Sequence, residues 1–119
     1  AGQERFVQGG PASGRIVALT SDHVVGNMPY GASKGALDRI VRAAAGELAA
    51  RGITANLVNP GPVDTGWMDA GTLAALTAHQ PTGRLGTPVD AARLVRFLLS
   101  DQAAWITGQL IHSDGGFSL

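Results

Sequence analysis

The sequence predicts an α/β fold built on a parallel sheet, and three stretches say so. "GRIVALTS", residues 14–21, holds an apolar, β-branched run without alternation, the pattern of a strand buried on both faces. A long helical pattern follows, and after it "ITANLV", residues 53–58, repeats the buried-strand signature. Strand, helix, strand is the βαβ unit, whose right-handed crossover lays its two strands side by side and parallel.

Each element has its own local reason. The first strand, placed near Arg15 to Thr20, emerges from a Gly/Pro/Ser-rich turn. From Tyr30 to Arg51 the apolar positions Leu37, Ile40, Val41, Ala44 and Leu48 recur at three-and-four spacing, and Gly52 supplies the stop. The second strand is cut off by "NPGP", whose prolines cannot continue a ladder. Asp69 to His79 reads as a short helix, with the stretch around it free to move. In "TPVD", Thr87 is an N-cap, Pro88 the first helical residue and Asp90 the third after the cap, opening a helix to about Leu99 or Ser100. A last strand runs from about Gln109 to Ser113 and ends at glycines that permit positive φ. The opening "AGQERFVQGG" reads as the end of a helix entering a turn. Three strands buried on both faces leave an apolar sheet edge, so the chain reads as half of a sheet.

Composition narrows the class. A chain of 119 residues is one domain with one core. With 45% apolar residues and nine basic against nine acidic side chains, it carries no footprint of a nucleic-acid or membrane-surface partner. Cysteine is absent, which excludes disulfide scaffolds and thiolate zinc sites and is compatible with a reducing, cytoplasmic setting. The helical stretch Gly35 to Ala50 is broken by Asp38, Arg39, Arg42 and Glu47 and is not a membrane span. No signal peptide is read at the start. The first residue is Ala rather than Met, so the start of the natural polypeptide is expected to lie upstream.

"NMPYGASKG" contains the only tyrosine and the only lysine of the chain, Tyr30 and Lys34. Four apart on a helix, they share a face one turn from each other. A tyrosine ordinarily ionises near pH 10, and a nearby ammonium favours the phenolate, bringing proton transfer closer to neutrality. Such a phenol can act as general acid or base; a surface i,i+4 pair is the plain alternative. Ser21 stands just past the first strand, at the end of the sheet where open α/β folds place their ligand crevices, and the helix of Tyr30 starts from that end. As an isolated residue Ser21 is equally a turn former. "NPGPVDT", residues 59–65, leaves the second strand at the same end as a rigid loop with exposed backbone groups, suited to a planar amide ligand or to a structural turn.

Taken in order, these residues resemble the short-chain dehydrogenase/reductase family. "YGASK" matches its YxASK, "PGPVDT" its PGxVxT, "RLGTPVDAA" its R-L/M-G-x-P-x-D-x-A helix start, and "ITGQLIHSDGG" its closing I-T-G-Q-x-I-x-x-D-G-G. The match covers nearly the whole chain and looks nearest to the 3-oxoacyl-carrier-protein reductases. It implies the C-terminal part of a Rossmann-like doubly wound parallel sheet, with residues 1–119 as the catalytic and substrate-binding half of one domain. By the resemblance, Tyr30 is the catalytic acid/base and Lys34 lowers its pKa and holds the nicotinamide ribose. Ser21 hydrogen-bonds the substrate oxygen. Pro60, Gly61, Val63 and Thr65 lie along the nicotinamide end of NAD or NADP, with the Val63 backbone meeting the carboxamide. Residues 66–80 form a lid over a small carbonyl or alcohol substrate. Family members assemble as dimers or tetramers, so a homo-oligomer is expected.

Two departures stand out. "SDHVVGNMPY", residues 21–30, is several residues shorter than the family's segment, so that Thr20 rivals Ser21, while Asp22 and His23 read as polar loop surface. His79 and His112 show no metal spacing and read as structural or exposed. The second departure is larger. No GxxxGxG occurs, so the N-terminal dinucleotide-binding half is absent from these residues and the chain alone is expected to be inactive. The alternative is a non-catalytic fragment or pseudoenzyme kept for assembly, using the small face Ala36, Ala43, Ala44 and Gly46, unless those residues face the chain's own sheet. An unrelated α/β binding module would require the motif order to be coincidence.

Overall fold

The computed structural model describes residues 14–21 and 28–119, and for 28–31 the backbone alone. β1 (Gly14–Leu19), α1 (Met28–Leu48), β2 (Ile53–Asn59), α2 (Ala70–His79), α3 (Pro88–Leu98) and β3 (Leu110–His112) follow in that order. Single 3-10 turns at Ala49–Arg51 and Asp101–Ala103 extend α1 and follow α3. The strands form one parallel sheet in the order β1-β2-β3. Gly14 pairs with Ile53 and Leu19 with Val58, while Leu57 to Asn59 pair with Leu110 to His112.

Strand periodicity divides β2 between two layers. Ala55 and Leu57 pack with Val41 and Ala45 of α1, joined by Ala18, Leu37, Ala44 and Leu110. Val58 turns the other way, onto Leu98 and Ala103, with Val17, Leu94, Val95, Ile106 and Ile111 around them. Helices on both faces explain why β2 carries no exposed residue. β1 is one edge of the sheet, and there Ile16 and Leu19 are exposed, the apolar edge expected from strands buried on both faces.

The helix ends follow their caps. Gly52 adopts φ 74°, the left-handed conformation that closes the α1 extension and returns the chain into β2. At α3 the Thr87 hydroxyl accepts from the Asp90 N–H while the Asp90 carboxylate accepts from the Thr87 N–H, with Pro88 in the first turn. Asp69 caps α2 by accepting from Thr72 N–H at 2.6 Å. Along α1, Val41 is buried as its spacing predicts, but Ile40 is 65% exposed: the stripe facing the sheet is narrower than the apolar pattern. The small face also divides: Ala44 packs toward the sheet, whereas Ala36, Ala43 and Gly46 are exposed.

β3 is shorter than its sequence suggests because residues 106–109 dock on β2 irregularly. Asn56, fully buried, donates its amide to Ile106 C=O at 2.9 Å and accepts from Gln109 N–H at 3.1 Å. Ala55 N–H donates to the Thr107 hydroxyl, and Gly108 N–H to Ala55 C=O. The side chain thus supplies pairing that a regular ladder would take from the backbone.

Candidate active site

β1 and β2 end together, and the polar residues following them gather at that end. Thr20 N–H continues the ladder by donating to Val58 C=O at 2.8 Å, which carries Ser21 to the mouth of the sheet. Lys34, in the second turn of α1, reaches across: its Nζ donates to Leu19 C=O at 3.0 Å. This bond fixes the ammonium two residues from Ser21 and holds the start of α1 against the end of β1. Tyr30 lies in α1 one turn before Lys34, as its spacing requires, and its side chain is outside the described residues. Asp22 and His23, and the opening decapeptide, are outside them too.

The loop after β2 brings the remaining predicted residues to the same end. Asn59 Oδ1 accepts from Gly61 N–H at 3.0 Å, a side-chain turn that bends the chain out of the strand. Gly61 has φ +64°, and a Cβ there would lie 2.6 Å from Asp114 Cβ, so this position requires glycine for both conformation and space. Val63 forms an isolated parallel bridge with Gly86: Asp64 N–H donates to Gly86 C=O, and Gly86 N–H to Pro62 C=O. In a parallel bridge the flanking residues make the bonds, so the N–H and C=O of Val63 point away from Gly86. They have no backbone partner among the described residues. Thr65 is exposed two residues on.

Two buried polar atoms at this mouth have no hydrogen-bond partner among the described residues, Thr20 Oγ1 and Asn59 Nδ2. Thr20 and Asn59 are each 4% exposed, and a buried polar group without a partner is costly unless something else satisfies it. The sequence singled out Thr20 as rival to Ser21 but passed over Asn59, whose only signal was a carboxamide at the last strand position before Pro-Gly.

A third polar cluster forms where β3 ends. The buried Asp114 carboxylate accepts from the N–H groups of Gly116 and Ser118 at 3.0 and 3.2 Å. Burial would raise this carboxyl, but hydrogen bonds from Ser118 and Gly116, helped by nearby His112, outweigh it and hold Asp114 below its ordinary value. An open cleft of about 290 Å³ is lined there by Gln80, Arg84, Asp90, Arg93, His112 and Asp114, among others. None of Ser21, Lys34, Pro60, Gly61, Val63 or Thr65 lines it, so it is distinct from the mouth at β1 and β2. Arg84 and Asp90 form a two-point ion pair at its rim, at 2.8 and 3.3 Å. His79 stacks edge-on against Phe117, with ring centroids 4.8 Å apart. Among the described residues no group of three or more metal-ligating side chains stands together, and no helix is long and apolar enough to cross a membrane.

Comparison with known proteins agrees with this arrangement. The model of the family described as enoyl-(acyl carrier protein) reductase matches residues 3–118. An uncharacterized oxidoreductase of Bacillus subtilis, YjdA, is 50% identical over 117 residues, covering 95% of this chain and 47% of the relative. The 3-oxoacyl-[acyl-carrier-protein] reductase FabG of Escherichia coli is 41% identical over 112 residues, covering 87% of this chain and 45% of FabG. In three dimensions the chain superposes on the reductase LugOII, described as catalysing keto-reduction at C1 during lugdunomycin biosynthesis. The TM-score is 0.78 and the identity 34%, with 98% of this chain and 49% of LugOII covered. The chain spans about half the length of the curated relatives it matches. A parallel sheet covered by helices on both faces, with Lys34 bound to the end of β1 and a family match from end to end, places this chain in the short-chain dehydrogenase/reductase family.

Proposed function

We propose that this chain is the catalytic half of an NAD(P)-dependent oxidoreductase that interconverts a carbonyl and a secondary alcohol, and that it does not turn over alone. The observation carrying this reading is the reach of Lys34 to Leu19 C=O, which brings an ammonium to the end of β1, two residues before Ser21, from a helix position one turn beyond Tyr30. In reduction the Tyr30 phenol gives a proton to the carbonyl oxygen while the Ser21 hydroxyl donates a hydrogen bond to that oxygen as charge grows on it. The Lys34 ammonium favours the phenolate that remains.

The loop after β2 fits a nicotinamide. A carboxamide presents one acceptor and two donors in a plane, and Val63 offers an outward N–H and C=O with no backbone partner among the described residues. Asn59 Nδ2 and Thr20 Oγ1 are further groups at the same mouth without a partner among the described residues. Pro60, Gly61, Val63 and Thr65 would hold that end of the dinucleotide, and Lys34 its ribose. When bound, the dinucleotide supplies the hydride. Pyrophosphate and adenine would be held by a segment pairing with the open edge of β1, where Ile16 and Leu19 are exposed. FabG, by its name a 3-oxoacyl reductase, and LugOII, a keto-reductase, point to a ketone-bearing small molecule as the substrate class.

Assembly has an observation of its own. Ile40, 65% exposed, lies between exposed Ala36 and Ala43, a small apolar face pointing away from the sheet. We read it as the packing face of a homo-oligomer, compatible with catalysis.

The test is reassembly. The chain combined with a separately expressed N-terminal half from a close relative should consume NADPH absorbance in the presence of a ketone substrate, while the chain alone should not. Failure of a folded, NADPH-binding assembly to reduce any of a panel of ketones and 3-oxoacyl thioesters would refute the reading.

A further inference from the structure

α2 is weakly attached. None of its residues is buried, and among the described residues it packs against no other helix or strand. Yet Gln80, directly after it, is 5% exposed, unusual for a side chain that normally sits in water. Its carboxamide donates to Asp114 C=O at 2.8 Å and to Gly115 C=O at 3.2 Å. Its backbone N–H closes α2 on Leu76 and Thr77, and its C=O accepts from Gly83 N–H. Gly115, at φ +63°, is fitted to this contact: a Cβ there would lie 2.9 Å from Gln80 Nε2.

The same turn also seats the loop after β2. Asp114 fills the space beside Gly61, and Ser113 N–H donates to Asn59 C=O at 2.9 Å. Three segments distant in sequence therefore meet at one junction: residues 59–61, 79–83 and 113–116.

We propose that Gln80 is a positioning residue that ties α2 and the loop at 60–65 to one shared anchor, the Asp114–Gly115 turn. α2 and the loop after β2, which would flank the substrate in the reductase reading, are then held by a common part. The functional meaning rests on the reductase reading above, but the anchor does not: it is read in the chain without cofactor or substrate.

The experiment is amide hydrogen exchange on the full chain and on Gln80→Met, which keeps length and bulk but removes both donors. Losing a hydrogen bond of ordinary net strength should speed exchange about tenfold in residues 70–79 and also in residues 60–66. Protection in β2 should stay within about twofold. Gln80→Asn, which keeps a donor on a shorter arm, should recover part of that protection, and it takes the place of the Met variant if that one does not fold. Unchanged exchange in either segment, or equal acceleration throughout β2, would overturn the proposal. Absence of ketone reduction by the reassembled unmodified protein, with this exchange pattern found, would instead count against the reductase reading alone.

Discussion

At the residue scale, the groups in this chain divide by whether their role depends on neighbours in sequence. Asn56 is an example of one that does not. Fully buried, it satisfies Ile106 C=O and Gln109 N–H, and Asn56→Ala would take the partner from both groups and leave a cavity in its place. Denaturant unfolding should show a loss of about 2 to 4 kcal/mol, against under about 0.5 for the exposed Gln102→Ala. The places of Tyr30, Lys34 and Ser21 along the fold were legible in the sequence, because helical spacing and strand ends fix them. Val63 was legible as part of a motif, and the bridge to Gly86 supplies the reason its backbone faces outward. Asn59, Gln80 and Asp114 were not legible in these roles. Gln80 and Asp114 stand 34 positions apart, and no local pattern says that a glutamine after a helix will be buried against a turn after the last strand.

At the element scale, local chemistry decided most boundaries. The N-cap Thr87 with Pro88 and Asp90 predicted the start of α3, and the structure completes it as a reciprocal pair of hydrogen bonds reinforced by Arg84. That cap makes stability depend on pH in one direction. Arg84, then the Thr87 N–H and hydroxyl, hold the Asp90 carboxyl far below the value of about 3.9 expected in the unfolded chain. The unfolded state therefore takes up the proton first. The stabilisation is complete above the unfolded value and is lost as pH falls through the folded one, and Asp114 acts in the same direction. Thermal melts should drop as pH falls from about 5 toward 2, and Asp90→Asn should flatten that drop; an unchanged slope would count against the cap as its source. What local chemistry did not give was the length of β3 or the exposure of Ile40. β3 is short because Asn56 and Thr107 replace ladder pairing, and Ile40 is exposed because one sheet covers only one side of α1.

At the scale of the whole molecule, three parallel strands with a helix layer on each face make a core that is closed around β2 and open beyond β1. The βαβ pattern gave this architecture, and the apolar edge at Ile16 and Leu19 gave the sense of an unfinished sheet. The way the lone α2 is held, and the meeting of three loops at Asp114, arise only once the chain is folded. The central claim is that Tyr30 and Lys34 act as one proton-handling unit beside Ser21. It is tested most directly by a double-mutant cycle in the reassembled reductase, with kcat/KM for a ketone measured for Tyr30→Phe, Lys34→Met and the pair together. Each single change should lower kcat/KM by at least about a hundredfold, and the double should be scarcely worse than the poorer single, as for residues that work together. A single variant within about threefold of the unmodified protein, or losses that multiply in the double as for independent sites, would contradict the account.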